Sequence, residues 1–118
     1  MSREDLKARL EHPDPSLRPI LLDARLKYPY EHSTLTLPGA LRAAGPDLPN
    51  LPPGRDIVVY DSDPDELASS QVAVALSAAG HSVFALKGGI VDWIAASFPT
   101  ETKSAPKGAT PEPGSLKG

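Results

Sequence analysis

Short apolar runs, separated by polar and proline-rich stretches, mark the elements of this chain. Ile20–Leu22 and Ile57–Tyr60 are continuous apolar runs, and the second is rich in β-branched residues. Continuous runs of this length are typical of strands buried on both faces of a parallel sheet. Ser82–Leu86 predicts a further strand, and Ala40–Arg42 predicts a short one.

Helical segments alternate with these strands. Ser2 predicts the cap of a first helix that stops by His12, because two prolines follow. A segment rich in Ala, Val and Leu predicts a long helix from Pro64 to Gly80, and Ile90–Ser97 predicts a short one. Tyr28–His32 predicts a single turn. This alternation predicts an α/β domain with a central, mostly parallel sheet and helices on both faces.

Length and composition limit the chain to one small domain. The 118 residues suffice for a single core. Residues 102–118 hold three Pro, three Gly and one large apolar side chain, so we expect a folded domain over 1–101 and a disordered tail over 102–118. No apolar window reaches the roughly 18 residues of a membrane span, and the first residues are charged where a signal peptide is apolar. We therefore expect a cytoplasmic monomer.

Charge and cysteine content exclude several classes of chemistry. The net charge is −3 and no basic block occurs, so nucleic acid is not an expected partner. The chain has no cysteine, which removes disulfides and every mechanism based on a thiolate. No cofactor is expected.

An acidic segment follows the richest strand, in the sequence VVYDSDPDELASS. Its position between a strand and a helix is where open α/β sheets place their ligands. The predicted binding loop consists of Asp61, Ser62, Asp63, Pro64, Asp65, Glu66 and Leu67.

Five short motifs together resemble the landmarks of the rhodanese-like domain family. They are LLDAR at 21–25, LPGAL at 37–41, IVVYD at 57–61, AAG at 78–80 and LKGGIVDW at 86–93. The resemblance covers about residues 3–101 and implies the α/β fold of that family. It also implies that the residue after the VVY strand is the sulfur-carrying position.

That position is a cysteine in active members of the family and Asp61 here. YDSDPDELASS also resembles a subset with YCxCPNExxS, and Asp61 and Asp63 stand at its two cysteine positions. A carboxylate does not hold or release a sulfane sulfur as a thiolate does. No Lys or Arg lies between Arg55 and Lys87 to attract an oxyanion. The sequence thus predicts a rhodanese-like domain without sulfurtransferase activity.

Three interpretations of the acidic loop remain open. In the first, Asp61 accepts hydrogen bonds from the following helix, as Asp does in the non-catalytic modules of tandem sulfurtransferases, which this loop resembles. In the second, Asp61, Asp63 and Asp65 form a weak divalent-cation site. In the third, the DxD pattern belongs to a phosphatase resembling haloacid dehalogenases, with Lys87 as its lysine.

Other residues that could carry chemistry have structural interpretations. Asp23 and Arg25 match the LxDxR motif of the family, which implies a structural ion pair. Trp93 is predicted to be a core aromatic residue. His12, His32 and His81 lack the spacing of a metal site, so each is expected to be solvated. Thr36 stands where the family often has His.

The combined prediction is a catalytically inactive domain that acts as a protein-binding or regulatory module. Its partner is an unidentified protein, and an acidic loop favours a cationic group on that partner. The alternatives are the weak cation-binding module, the Asp-dependent phosphatase and a relic that keeps only its packing.

Overall fold

A computed structural model describes residues 1–43, 51–52, 54–62 and 67–102, with the side chains of Lys27 and Leu67 excepted. The helices are α1 (Arg3–Leu10), α2 (Lys27–Glu31), α3 (Leu67–Ala78) and α4 (Gly89–Ala95). The strands are β1 (Ile20–Asp23), β2 (Leu35–Thr36), β3 (Leu41–Arg42), β4 (Asp56–Tyr60), β5 (Ser82–Ala85) and β6 (Glu101–Thr102). None of the helices in these ranges is long and apolar enough to cross a membrane.

The central sheet has four parallel strands in the order β3-β1-β4-β5. The two continuous apolar runs form its middle, with Leu21 opposite Val58 and Asp23 opposite Tyr60. The predicted mostly parallel α/β sheet is therefore confirmed. A separate antiparallel ribbon pairs β2 with β6, and Thr102, which the sequence assigns to the tail, ends that ribbon.

The two faces of the sheet carry separate cores. Alternate residues of the central strands, such as Leu21 and Val58, pack with Leu6 of α1 and Trp93 of α4. The intervening residues of those strands pack with Leu76 of α3 on the other face. Because successive side chains of a strand point to opposite faces, two apolar runs supply both cores. The prediction of helices on both faces is confirmed.

Local sequence signals fix the ends of the helices. The Ser2 hydroxyl accepts the N–H of Asp5 at 3.1 Å and caps α1. α3 ends at Ala78 and is followed by the left-handed Gly80, after which His81 N–H donates to the Leu76 carbonyl at 3.1 Å. α4 begins at Gly89, one residue earlier than the sequence predicts. Because β1, β4 and β5 are parallel, the loops that follow them lie at one edge of the sheet.

Candidate functional site

Asp61 lies directly after β4, at the carboxyl edge of the sheet, and is only 1% exposed. Its Oδ2 accepts the backbone N–H of Ser69, in the first turn of α3, at 2.7 Å. Its backbone carbonyl accepts the N–H of Ile90, at the start of α4, at 2.9 Å. The carboxylate thus meets the positive end of α3, where a negative charge is stabilised.

Gly89 makes this arrangement possible. It has φ +59°, and a Cβ built on it would lie 2.1 Å from the Asp61 carbonyl oxygen. A side chain of any size would push α4 away from the end of β4. Gly88 and Gly89 therefore form a turn, and Gly89 also allows the backbone of α4 to lie close to the backbone of Asp61.

A small concavity of about 280 Å³ adjoins this point. The described residues that line it are Ser62, Gly88, Val91 and Asp92. Asp92 supplies a carboxylate, and none of these four residues is a cation. An oxyanion therefore finds no opposite charge among them, whereas a cationic group finds one.

A buried polar network lies at the same edge of the sheet, at the end of β1. The Asp23 Oδ2 is 2.6 Å from the Arg25 Nη2, and both side chains are about 2% exposed. Oδ2 also accepts the Tyr60 hydroxyl at 3.0 Å. Tyr60 in turn accepts the N–H of Leu37 at 3.2 Å. Arg25 Nη2 also donates to the Leu35 carbonyl at 2.9 Å.

This network joins distant parts of the chain. It ties the ends of β1 and β4 to the segment that carries β2. Arg42, at the end of β3, donates to the Asp23 carbonyl at 3.0 Å. The Tyr30 ring lies 4.0 Å from the Arg42 guanidinium carbon and 5.3 Å from that of Arg25. Such contacts fix α2 on the network.

Burial and charge shift the ionisation of two members. Burial alone lowers the pKa of Arg25, but the hydrogen bond and charge of Asp23 outweigh it and raise that pKa above its ordinary value. Burial raises the pKa of the Tyr60 phenol strongly, and the negative charge of Asp23 adds to the increase. The network therefore holds a charged pair beside a neutral phenol.

The raised pKa of the Tyr60 phenol predicts that the fold loses stability at alkaline pH. Since its pKa is raised on folding, its contribution is complete below the unfolded value of about 10 and declines as the pH rises from there toward the folded value. Tyr60→Phe should unfold about 1–3 kcal/mol more easily at neutral pH, because Leu37 N–H loses its acceptor. It should also show a smaller alkaline decline. Urea denaturation at neutral and alkaline pH measures both, and equal alkaline slopes in the two proteins would contradict the assignment.

Several predicted site residues lie outside the described residues. They are Asp63, Pro64, Asp65, Glu66 and the side chain of Leu67. Of the cation candidates only Asp61 is described, and the described part of the chain holds no group of three metal-binding side chains. The predicted tail beyond Thr102 also lies outside the described residues.

The remaining candidates lie apart from one another. His12 Nδ1 accepts the N–H of Asp14 at 3.0 Å, and the His32 ring contacts Tyr28 at 4.1 Å. Trp93 lies in the core and donates Nε1–H to the Pro99 carbonyl at 2.7 Å. Thr36 is buried in β2.

Sequence reasoning missed Tyr60, Arg42 and Gly89 as parts of this edge. The apolar pattern predicts Tyr60 only as the end of a strand, although a tyrosine at a buried position signals a hydroxyl that needs a partner. That partner, Asp23, is 37 residues away and is set by the strand register.

Comparisons with known proteins agree with this geometry. The family described as "Rhodanese-like domain" matches residues 2–96. The rhodanese-like domain of an Anabaena sp. protein, solved by NMR, is 30% identical, with a TM-score of 0.68 over 96% of this chain and 88% of that one. A full-length protein from Lactobacillus plantarum is 22% identical, with a TM-score of 0.76 over 87% of each chain.

A thiosulfate sulfurtransferase from Pseudomonas aeruginosa also matches, with 26% identity and a TM-score of 0.61. The match covers 86% of this chain but 19% of that protein. No functionally curated protein matches the chain. The family match spans both central strands, the Asp23–Arg25 pair and the Asp61 position. The chain belongs to the rhodanese-like domain family, with an aspartate in place of the sulfur-carrying cysteine.

Proposed function

We propose that this domain has no sulfurtransferase activity and binds a partner protein through the carboxyl edge of its sheet. The observation that carries the proposal is the buried Asp61 carboxylate, which accepts the Ser69 N–H at the position where the family carries sulfur. The hydrogen bond stabilises the loop without any ligand. A carboxylate oxygen at that position does not accept and release a sulfane sulfur.

The surface around Asp61 supports binding to a protein. Tyr28 is 73% exposed and Leu26 is 64% exposed, and both lie in or beside α2, after the end of β1. Val91, which is 56% exposed, lies in α4, after the end of β5. Exposed aromatic and aliphatic side chains at the edge of the sheet that carries an acidic concavity are typical of an interface, and Val91 lines that concavity itself. The acidic lining favours a partner segment with Lys or Arg beside apolar residues.

A pair of matched variants tests the surface. Val91→Glu places a charge within the proposed interface, whereas Val74→Glu places one on α3, where Val74 is 69% exposed. We expect a partner captured by the native domain to be lost with Val91→Glu and kept with Val74→Glu. Identical capture by both variants would contradict the proposed surface.

Restoring a thiol should not restore the activity. In Asp61→Cys, the acids that follow in sequence and the carboxylate of Asp92 disfavour the thiolate and repel thiosulfate. We expect turnover at background and a thiol pKa above the ordinary value of about 8.5, because burial and the nearby carboxylates outweigh the positive end of α3. Ser70→Cys, an exposed position on α3, is the control for alkylation rate against pH. Rapid turnover of thiosulfate by Asp61→Cys would contradict this prediction.

NMR titration tests which ions bind at the acidic loop. Thiosulfate and phosphate should leave the amide NMR signals of Asp61, Ser62 and Ser69 unmoved. Magnesium or calcium at millimolar concentration should shift them only if the acidic loop is a cation site. The cytoplasmic location and the monomeric state remain predictions from the sequence.

A further inference from the structure

A second, larger cavity lies at the opposite edge of the sheet from Asp61. Its volume is about 590 Å³, within the range of small-molecule sites. Its lining includes Ile20 and Leu41, the first residues of β1 and β3, and Arg55, which precedes β4. Because these strands are parallel, their amino ends share one edge, and Asp61 lies at the other.

The walls of the cavity are mainly apolar. Leu10, Ile20, Leu41, Leu51 and Trp93 supply large side chains. Five prolines join them, and proline brings no backbone N–H to a wall. A cavity with such walls favours the body of an apolar molecule over a polar one.

The charged groups of the lining are unbalanced. Lys7 and Glu11 pair with each other at 2.7 Å, so their charges offset. Arg18 and Arg55 remain, and within the described residues neither has a carboxylate at ion-pair distance. Asp14 lies near enough to Arg18 for their charges to interact, but its Oδ1 accepts hydrogen bonds from Ser16 and none from Arg18. Two guanidinium groups, of which that of Arg18 is partly offset by Asp14, therefore adjoin an apolar cavity.

Backbone carbonyls position both guanidinium groups without using all their donors. Arg18 Nε donates to the His12 carbonyl at 2.6 Å. Arg55 donates through Nε and Nη2 to the carbonyls of Arg18 and Pro15. A guanidinium has five N–H groups. Both Nη groups of Arg18, and Nη1 of Arg55, have no acceptor among the described residues.

We infer that this cavity binds a small amphipathic anion, with its apolar body against Leu41, Leu51 and the prolines and its carboxylate at Arg18 and Arg55. The fixed guanidinium groups provide charge-assisted hydrogen bonds, which are stronger than neutral ones. The site is independent of the Asp61 loop, so it stands or falls separately from the proposed function.

Decanoate and its uncharged counterpart 1-decanol are the probes. Trp93 is the only tryptophan of the chain and lines the cavity, so its fluorescence reports occupancy, and calorimetry measures binding independently. We expect saturable binding of decanoate at one molecule per chain. We expect 1-decanol to bind about tenfold more weakly, since it lacks the charge.

Arginine variants locate the carboxylate. Arg18→Gln and Arg55→Gln should each weaken decanoate binding about tenfold and leave 1-decanol unchanged. Arg3→Gln, outside the cavity, should change neither. Circular dichroism checks that each variant is folded. If Arg55→Gln unfolds, the decanoate affinity of Arg18→Gln tests the inference, because this variant loses a single hydrogen bond to the protein.

Three outcomes would overturn the inference. One is the absence of saturable decanoate binding by calorimetry. Another is equal affinity for decanoate and 1-decanol. The third is a dimer, detected by sedimentation, that excludes decanoate, because the cavity would then be covered by a second copy of the chain.

Discussion

Arg25→Met should lower the free energy of unfolding by about 3–5 kcal/mol, because the buried Asp23 carboxylate then keeps only Arg42, which is half-buried and 3.9 Å away. Arg25 is 3% exposed and makes three hydrogen bonds to the Asp23 carboxylate with its side chain. Methionine keeps much of the volume, so the loss measures the charge and its hydrogen bonds. Urea denaturation followed by circular dichroism gives the value.

Arg3→Met is the matched control for this variant. Arg3 forms a salt bridge with Glu4 at the surface, at 2.8 Å. An exposed pair contributes about 0–1 kcal/mol, so its removal should have little effect. Asp23→Leu with Arg25→Met should recover part of the loss, because the only charge of the group that remains is Arg42, which is partly exposed to water. A loss below about 1 kcal/mol in Arg25→Met would contradict the structural role of the pair.

Gly89→Ala should destabilise the fold by more than about 3 kcal/mol, one of the largest effects expected of a single methyl group. The methyl group would lie 2.1 Å from the Asp61 carbonyl oxygen, a backbone atom that cannot rotate away. Relief requires α4 to move from the end of β4, which breaks the hydrogen bond from Ile90 N–H to that carbonyl. Thermal and urea denaturation measure the change.

Gly39→Ala separates the clash from the backbone strain. Gly39 has φ +72°, close to the +59° of Gly89, but nothing lies within 4 Å of its added Cβ. Its substitution should therefore cost only about 1 kcal/mol for the left-handed conformation. Equal losses in the two variants would mean that the contact between α4 and Asp61 contributes nothing.

The parts of the fold that sequence predicted are those with a local cause. The continuous apolar runs of β1 and β4 can be buried only between two helical layers, and Gly80 ends α3 through its left-handed backbone. The β2–β6 ribbon was missed because two residues per strand carry no usable alternation. Its pairing joins segments 65 residues apart, which no local pattern indicates.

The candidate site also combines features that the sequence predicts with features that depend on the assembled sheet. The Asp61 position and the Asp23–Arg25 pair were both implied by short motifs that resemble the rhodanese-like family. The Tyr60 hydroxyl bond depends on the register of β1 against β4, which only the assembled sheet fixes. The apolar cavity could not be predicted from local sequence, because its lining comes from α1, three strand ends and α4.

The central claim is that Asp61 leaves this rhodanese-like domain without a sulfur carrier. The most direct measurement incubates the purified chain with thiosulfate, follows thiocyanate after cyanide is added and weighs the intact protein by mass spectrometry. We predict no thiocyanate above the protein-free reaction and no mass increase of one sulfur atom. Turnover above that background, or a chain that carries a sulfane sulfur, would contradict the claim.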